Sequence, residues 1–172
     1  MNRFTDPSGH AAQADAGAAP ALAASLSFAA ETLASGRAAG EVLVLEPLSF
    51  WGGYDAQRGL IVEQAHPGYG RTLAGKILVM PRAKGSSSSS SVLAEAIRNG
   101  TGPAGIVLRE RDLIISIGVI VAHELYGISV PLVVADEVAF AAICGTQRMF
   151  RIGAPDDGGA ASIETGPSPS AA

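Results

Sequence analysis

The sequence of 172 residues contains one cysteine, Cys144, and three histidines. One thiol cannot form a disulfide within the chain, nor supply the three or four thiolates of an iron–sulfur or structural zinc site. His10 and His123 have no histidine partner at the i, i+4 spacing of a helical metal site. We therefore expect no metal site in this chain and, because disulfides are lacking, a reducing cytoplasmic compartment.

Long apolar runs and an excess of positive charge are also absent. The most apolar stretch, residues 113–121, is too short to cross a bilayer. The alanine-rich stretch at 16–30 contains Pro20 and is too weakly apolar for a cleaved secretory signal. Sixteen acidic and 12 basic residues give a net charge of −4 without a basic stripe. These features predict neither a membrane nor a nucleic acid as partner.

Aromatic residues make up only 5% of the chain, whereas glycine and proline are frequent, at 21 and 10 residues. A core must then be built from aliphatic side chains on short elements joined by turns, as in a mixed α/β domain. Residues 1–24 and 154–172 lack hydrophobic periodicity, which predicts a flexible N-terminal tail and a loosely ordered C-terminal tail around a domain at 25–153.

Within that domain, four β-branched apolar segments predict buried strands, at residues 40–47, 76–81, 105–110 and 130–136. A first helix is predicted from within the serine run to Asn99-Gly100, because apolar residues recur at helical spacing there. A second helix is predicted at 113–127, ending at Gly127. Its apolar face is expected to contain Ile114, Ile117, Val121 and Leu125.

The serine run from Ser86 to Ser91 lies between a predicted strand and a predicted helix. Strand, loop, helix and strand then form a crossover unit whose loop lies at the carboxyl end of the sheet, where ligands of open α/β sheets bind. Hydroxyls and unpaired N–H groups at a helix start favour an anion such as a carboxylate or phosphate. The alternative is that Ser90 or Ser91 only caps the helix and the others fill a polar loop.

Two cations precede the run. Arg82 and Lys84 would lower the cost of forming an alkoxide at Ser86, whose hydroxyl is otherwise a poor base near neutrality. Both can equally be solvated loop charges.

A second unusual segment, residues 48–59, joins the only tryptophan to paired glycines. Trp51, Gly52, Gly53 and Asp55 are candidates for the border of a pocket or interface, because an aromatic wall and a closely approaching backbone occur together. The alternative is a local turn with Phe50 and Trp51 buried in the core. His66, in the turn His66-Pro-Gly-Tyr-Gly, is a candidate interface or structural residue.

The familiar nucleophile-elbow, Walker and dinucleotide motifs do not occur in the sequence. The segments LSFWGGYDAQRGLI and HPGYGRTLAGKILVMPRAKGSSSSSSVLAEAIRNGTGPAGIVL, however, resemble the small subunit, or swivel domain, of aconitase X. The resemblance extends over about residues 26–135. It implies a swivelling β/β/α domain with a compact barrel-like sheet and flanking helices, closing over a large subunit that holds an iron or iron–sulfur centre through its own cysteines.

The wider aconitase superfamily carries a Gly-Ser-Ser loop whose first serine removes a substrate proton. Gly85, Ser86 and Ser87 match these positions, so the resemblance implies Ser86 as the catalytic base and Gly85, Ser87 and Ser88 as substrate-binding residues. Aconitase has a carboxylate-binding arginine where this chain has Ser88, which disfavours a citrate-like substrate.

Two chemistries occur in this family: dehydration of a phosphorylated mevalonate in archaea, and of cis-3-hydroxy-L-proline in bacteria. The unbroken polyserine loop and alanine-rich ends are more similar to the bacterial branch. The resemblance thus implies the small subunit of a hydro-lyase that forms pyrroline-2-carboxylate from this hydroxy acid, active only with its large subunit. Alternatives are a mevalonate 5-phosphate dehydratase using Arg82 and Lys84 for the phosphate, or a noncatalytic subunit that docks through the Trp51 loop.

Overall fold

Seven strands of the chain close into a barrel. The computed structural model describes residues 25–146 and 148–165. The described strands are β1 (Ser27–Ala34), β2 (Gly36–Val44), β3 (Tyr54–Asp55), β4 (Leu60–Ile61), β5 (Ile77–Met80), β6 (Gly105–Leu108), β7 (Leu132–Val134), β8 (Met149–Ala154) and β9 (Ala161–Thr165). The helices are α1 (Phe50–Gly53), a single irregular turn, α2 (Ser89–Arg98), α3 (Leu113–Tyr126) and α4 (Glu137–Cys144).

The barrel order is β1-β7-β6-β5-β2-β8-β9, with β9 returning to pair with β1. Strands β2, β5, β6 and β7 are parallel, whereas β1, β8 and β9 join the barrel through antiparallel pairs. The strands β3 and β4 form a separate hairpin. The expected α/β fold with a barrel-like sheet and flanking helices is confirmed.

The parallel strands β5 and β6 are buried at every position, as strands covered on both faces should be. Alternate residues of β5 enter two different apolar clusters. Ile77 and Val79 join Phe150 and Ile163 in the cluster shared by strands from around the barrel. Leu78 and Met80 belong to the other cluster, which α2 and α3 cover. The near-continuous apolar runs of the sequence follow from this double burial.

The C-terminal boundary predicted at residue 154 is wrong, because the barrel continues to Thr165. Residues 161–165 form β9, which pairs with both β1 and β8, and its Ile163 is fully buried. Short strands with alanine, serine and glycine around one or two large apolar residues give too weak an alternation to detect, and β1 escaped prediction for the same reason. Residues 1–24 and 166–172, to which the predicted tails extend, lie outside the described part of the chain.

Helix α3 has the predicted extent but not the predicted buried face. Gly127 ends it in the left-handed conformation, with φ of 67°, as expected. The buried residues are Ile115, Gly118, Val119 and Ala122, whereas Ile117 and Leu125 of the predicted face are exposed. A helix that is apolar nearly all round has no single stripe to detect. No helix among the described residues is long and apolar enough to cross a membrane.

The burial of β9 predicts that it stabilises the whole barrel. Replacing Ile163 with alanine removes a fully buried side chain from the barrel cluster and should lower the free energy of unfolding by about 3 kcal/mol. Glu164→Ala, at the exposed neighbouring position on β9, is the matched control. Urea unfolding followed by far-ultraviolet circular dichroism measures both, and equal stability of the two variants would exclude β9 from the cooperative core.

Candidate active site at the serine loop

The serine loop follows β5 at the carboxyl end of the parallel strands. It begins at Pro81, whose carbonyl accepts the N–H groups of Arg109 and Glu110 at 3.2 and 3.1 Å. The residues just after β6 therefore hold the first residue of the loop in place. The loop then leads into α2, and β6 follows as a parallel neighbour of β5. The predicted crossover unit is confirmed.

The six serines have different surroundings. Ser86, Ser87, Ser88 and Ser91 are exposed. Ser90 is half-buried and its hydroxyl donates to the Ser87 carbonyl at 2.7 Å, whereas Ser89 is fully buried. The helix is capped at Ser88, which makes no side-chain hydrogen bond to the helix. The alternative in which Ser90 or Ser91 is the N-cap is therefore wrong, because α2 begins earlier than the apolar periodicity indicates.

Loop amides remain open beside the exposed hydroxyls. The N–H of Ser89 donates to the Ser86 carbonyl at 3.0 Å, and that of Ser90 donates to the Ser87 carbonyl at 3.1 Å. No acceptor among the described residues binds the N–H groups of Ser86, Ser87 and Ser88. Because these donors lie at the N-terminus of a ten-residue helix, they favour a bound anion next to the Ser86 hydroxyl.

Gly85 packs against the segment that contains the tryptophan. Its φ of +97° is in the region that side chains disfavour. A Cβ at this position would also clash with the side chain of Ser49, whose own Cβ would lie 3.1 Å away. Only glycine therefore permits this approach of the serine loop to the neighbouring turn.

That neighbouring turn separates its two aromatic rings. Phe50 is fully buried, whereas the Trp51 side chain is 61% exposed, so the alternative with both rings in the core is wrong for Trp51. The turn is joined to the serine loop by backbone as well, since the Lys84 N–H donates to the Leu48 carbonyl at 3.1 Å. Gly52 has φ of +75° and open space around it, which lets the chain reverse direction after Trp51.

The two cations of the loop are not equivalent. The Lys84 ammonium lies 2.7 Å from a carboxylate oxygen of Glu63, which also packs against Gly53. Arg82 is exposed, and none of the ion pairs of the described residues includes it. Arg82 is therefore the loop cation with its charge available to a ligand.

Asp112 connects the serine loop to α3. One carboxylate oxygen accepts the N–H groups of Ile114 and Ile115 at the helix start, at 2.9 and 3.2 Å. The other oxygen accepts the Ala83 N–H at 2.9 Å. Asp112 was not among the residues predicted from the sequence, although an aspartate directly before an apolar helix is a cap signal. The bond to Ala83 was missed, since it joins segments 29 residues apart.

Two predicted candidates make their hydrogen bonds outside the serine loop. His66 is buried, with Nδ1 accepting the Gly68 N–H at 2.9 Å and Nε2 within 3.1 Å of the Glu46 carbonyl. Nε2 therefore carries the proton, and both nitrogens are used in holding a turn. Asp55 accepts the N–H groups of Gln57 and Arg58 in a local turn, at 3.0 and 2.9 Å. In each case the hydrogen bonds hold a local turn.

The described residues do not form a site for an iron centre. They contain no cluster of three His, Cys, Asp or Glu side chains that could hold a metal ion. Cys144 is half-buried beside a cavity of about 320 Å³, and burial raises the pKa of its thiol. A thiol held protonated is a poor metal ligand. The described residues therefore offer no ligand set for a metal ion.

A family model decides the relationship. The model of the aconitase X swivel domain matches residues 27–158, which include the barrel strands up to β8 and the serine loop. The chain belongs to this family. The resemblance stated from the sequence is thereby confirmed.

The relatives differ in the fraction of their own length that this chain matches. The cis-3-hydroxy-L-proline dehydratase of Pseudomonas aeruginosa is 47% identical over 102 residues, 59% of this chain but 18% of that protein. The phosphomevalonate dehydratase small subunit of Methanothermobacter thermautotrophicus is 42% identical over 91 residues, 52% of this chain and 70% of that subunit. The holo-form crystal structure of aconitase X from Thermococcus kodakaraensis has a TM-score of 0.64 at 29% identity, covering 80% of this chain and 98% of that chain. The chain therefore spans less than a fifth of the first relative and most of the second.

The contact of Gly85 with Ser49 predicts a loop that does not tolerate a methyl group. Gly85→Ala should destabilise the swivel domain by about 2 kcal/mol or more, because a backbone penalty of about 1–2 kcal/mol is added to the clash. Gly70→Ala is the control, since Gly70 has φ of +77° but open space around its Cβ position. Guanidinium unfolding of both variants isolates the clash, and equal losses would show that the loop does not press on Ser49.

The two-sided binding of Asp112 predicts a larger effect than that of an ordinary helix cap. Asp112→Ala leaves three backbone N–H groups without an acceptor, and we expect a loss of about 2–3 kcal/mol in unfolding free energy. Asp136→Ala is matched to it, because Asp136 caps α4 through one N–H group, and should cost about 1 kcal/mol. Urea titrations measure the difference. If Asp112→Ala cost no more than Asp136→Ala, the bond from the Ala83 N–H to Asp112 would contribute nothing to stability.

Proposed function

We propose that this swivel domain supplies the base of a hydro-lyase that dehydrates cis-3-hydroxy-L-proline, acting together with a larger aconitase X subunit. The observation that carries the proposal is the exposed Ser86 hydroxyl at the carboxyl end of β5, next to open amides at the start of α2. The identity of 47% with a protein of that name supports the substrate. The small-subunit naming of other relatives supports the need for a partner.

In this mechanism the Ser86 oxygen, as an alkoxide, removes the proton from the α-carbon of the substrate. The positive end of α2 and the charge of Arg82, which precedes Ser86 by four residues in the loop, make that alkoxide less costly. The N–H groups of Ser87 and Ser88 hold the substrate carboxylate. The hydroxide at C3 departs and becomes water with the proton that Ser86 gives up, which restores the alkoxide. The enamine left behind tautomerises to pyrroline-2-carboxylate.

Departure of the hydroxyl requires activation of the leaving oxygen, for which the described residues provide no metal site. The described residues lack a ligand set for iron, which the family resemblance places on the larger subunit. The proposal therefore divides the site into two parts, with proton removal on the swivel domain and hydroxyl activation on its partner. Each part should be inactive alone.

A second candidate substrate is mevalonate 5-phosphate, supported by the identity of 42% with a phosphomevalonate dehydratase small subunit. A phosphate dianion is best bound by several cations with free donors. Here Lys84 is already paired with Glu63, which leaves Arg82 as the free loop cation. A single carboxylate, as in hydroxyproline, suits this arrangement better.

Removal of the Ser86 hydroxyl tests the base assignment. In the assembled protein, Ser86→Ala should lower turnover of cis-3-hydroxy-L-proline at least about 100-fold, since a positioned general base contributes that much or more. Ser91→Ala, an exposed serine of the same run with no assigned role, is the control and should keep wild-type turnover. Loss of substrate and appearance of pyrroline-2-carboxylate are followed by mass spectrometry.

The outcomes separate the candidate functions. Wild-type turnover in Ser86→Ala would make the swivel domain a noncatalytic interaction subunit, especially if Trp51→Ala prevents assembly. Turnover of mevalonate 5-phosphate instead of the hydroxyproline by the wild-type assembly would keep the base and change the substrate. Both substrates should be tested with each subunit alone as the blank.

A further inference from the structure

Ser89 is the one serine of the run with no exposed surface. A hydroxyl in such a position needs a hydrogen-bond partner, because an unpaired buried polar group is costly. Its partner is the backbone of Trp51, whose N–H donates to the Ser89 hydroxyl oxygen at 3.1 Å. This bond joins residues 38 positions apart. A side chain of the serine run therefore reaches out of the run to the tryptophan turn.

The other backbone group of Trp51 is also held by a serine. The Ser49 hydroxyl donates to the Trp51 carbonyl at 2.9 Å. Trp51 has φ of −71° and ψ of 113°, so its peptide groups do not follow helical geometry within α1. Two hydroxyls thus satisfy both the N–H and the carbonyl of one exposed residue. We call Ser49, Ser89 and the Trp51 backbone the tryptophan clamp.

The clamp reaches Ser86 through two contacts. Ser89 binds Trp51 with its side chain and, with its own N–H, donates to the Ser86 carbonyl at 3.0 Å. Gly85, directly before Ser86, lies against the Ser49 side chain. The dipeptide Gly85-Ser86 is therefore held at both residues by the clamp.

We propose that Ser49 and Ser89 are positioning residues that fix the Ser86 hydroxyl through the backbone of Trp51; the inference rests on the proposed function of Ser86. A base must lie within hydrogen-bond reach of the proton it removes, and a misplacement of about 1 Å can lower the rate about 100-fold. The amides of Ser87 and Ser88 are not part of the clamp. Loss of the clamp should therefore lower kcat more than it raises KM.

The first measurement requires no substrate. In the full 172-residue chain, amide hydrogen exchange by NMR reports the bond directly, because the Trp51 N–H is the donor. Ser89→Ala should speed exchange of this amide at least about 10-fold, which is the loss of about 1.4 kcal/mol of local protection. Ser91→Ala is the matched control, with exchange at Trp51 unchanged. Unchanged exchange in Ser89→Ala would overturn the clamp.

The second measurement uses the assembled protein. Ser89→Ala should lower kcat about 10-fold or more with KM within about twofold of wild type, whereas Ser91→Ala keeps both values. If Ser89→Ala does not fold, Ser49→Ala serves in its place, because Ser49 is only half-buried. Where both variants fold, their combination should cost less than the product of the two effects, since both hydroxyls act on one residue.

The two proposals fail in different ways. Faster Trp51 exchange with wild-type kcat in Ser89→Ala would overturn the positioning role while leaving Ser86 as the base. Equal falls in substrate affinity and in kcat would also overturn the positioning role, because a general loosening of the loop would lower both. Wild-type turnover in Ser86→Ala would overturn the proposed function and with it the catalytic meaning of the clamp.

Discussion

Closure of the barrel depends on β1, which pairs with β7 on one side and with β9 on the other. Without this strand the parallel sheet would end at β7 with unpaired backbone groups, and the last hairpin strand β9 would also have a free edge. Only Ala30 of this strand is buried, so its contribution is its backbone pairing more than its side chains. The strands β5 and β6 are buried at every position, because the closed barrel encloses one of their faces while helices cover the other.

Once both faces are covered, the ends of the parallel strands are where the chain can present polar groups. The serine loop occupies this edge, and contacts from other segments of the chain hold it in place. Backbone donors after β6 bind Pro81, Asp112 binds Ala83, and Ser49 lies against Gly85. A loop of serines has little shape of its own, since serine hydroxyls bond readily to nearby backbone in several conformations. Its neighbours therefore decide which hydroxyls face solvent.

Secondary structure could be predicted where the hydrophobic pattern and the glycine or proline residues at the ends of an element agree. The four parallel strands, the crossover from β5 to β6 and the end of α3 at Gly127 all had both signals. Prediction failed for β1 and β9, whose small residues hide the alternation, and for the buried face of α3, whose apolar residues point in all directions. His66 and Asp55 remain candidates from the sequence alone, and in the structure their donors and acceptors hold local turns.

The serine run shows why a site of this kind cannot be predicted residue by residue from its own sequence. Six identical residues carry no internal signal that one is buried and another exposed. The difference arises because α2 begins at Ser89, where the first helical residue points under the tryptophan turn, and because Gly118 lets α3 approach the carbonyl of Ser90. Both causes lie in other segments of the chain. The surroundings of each serine are therefore set by tertiary contacts, and the family resemblance could make Ser86 a candidate only because it compares positions instead of compositions.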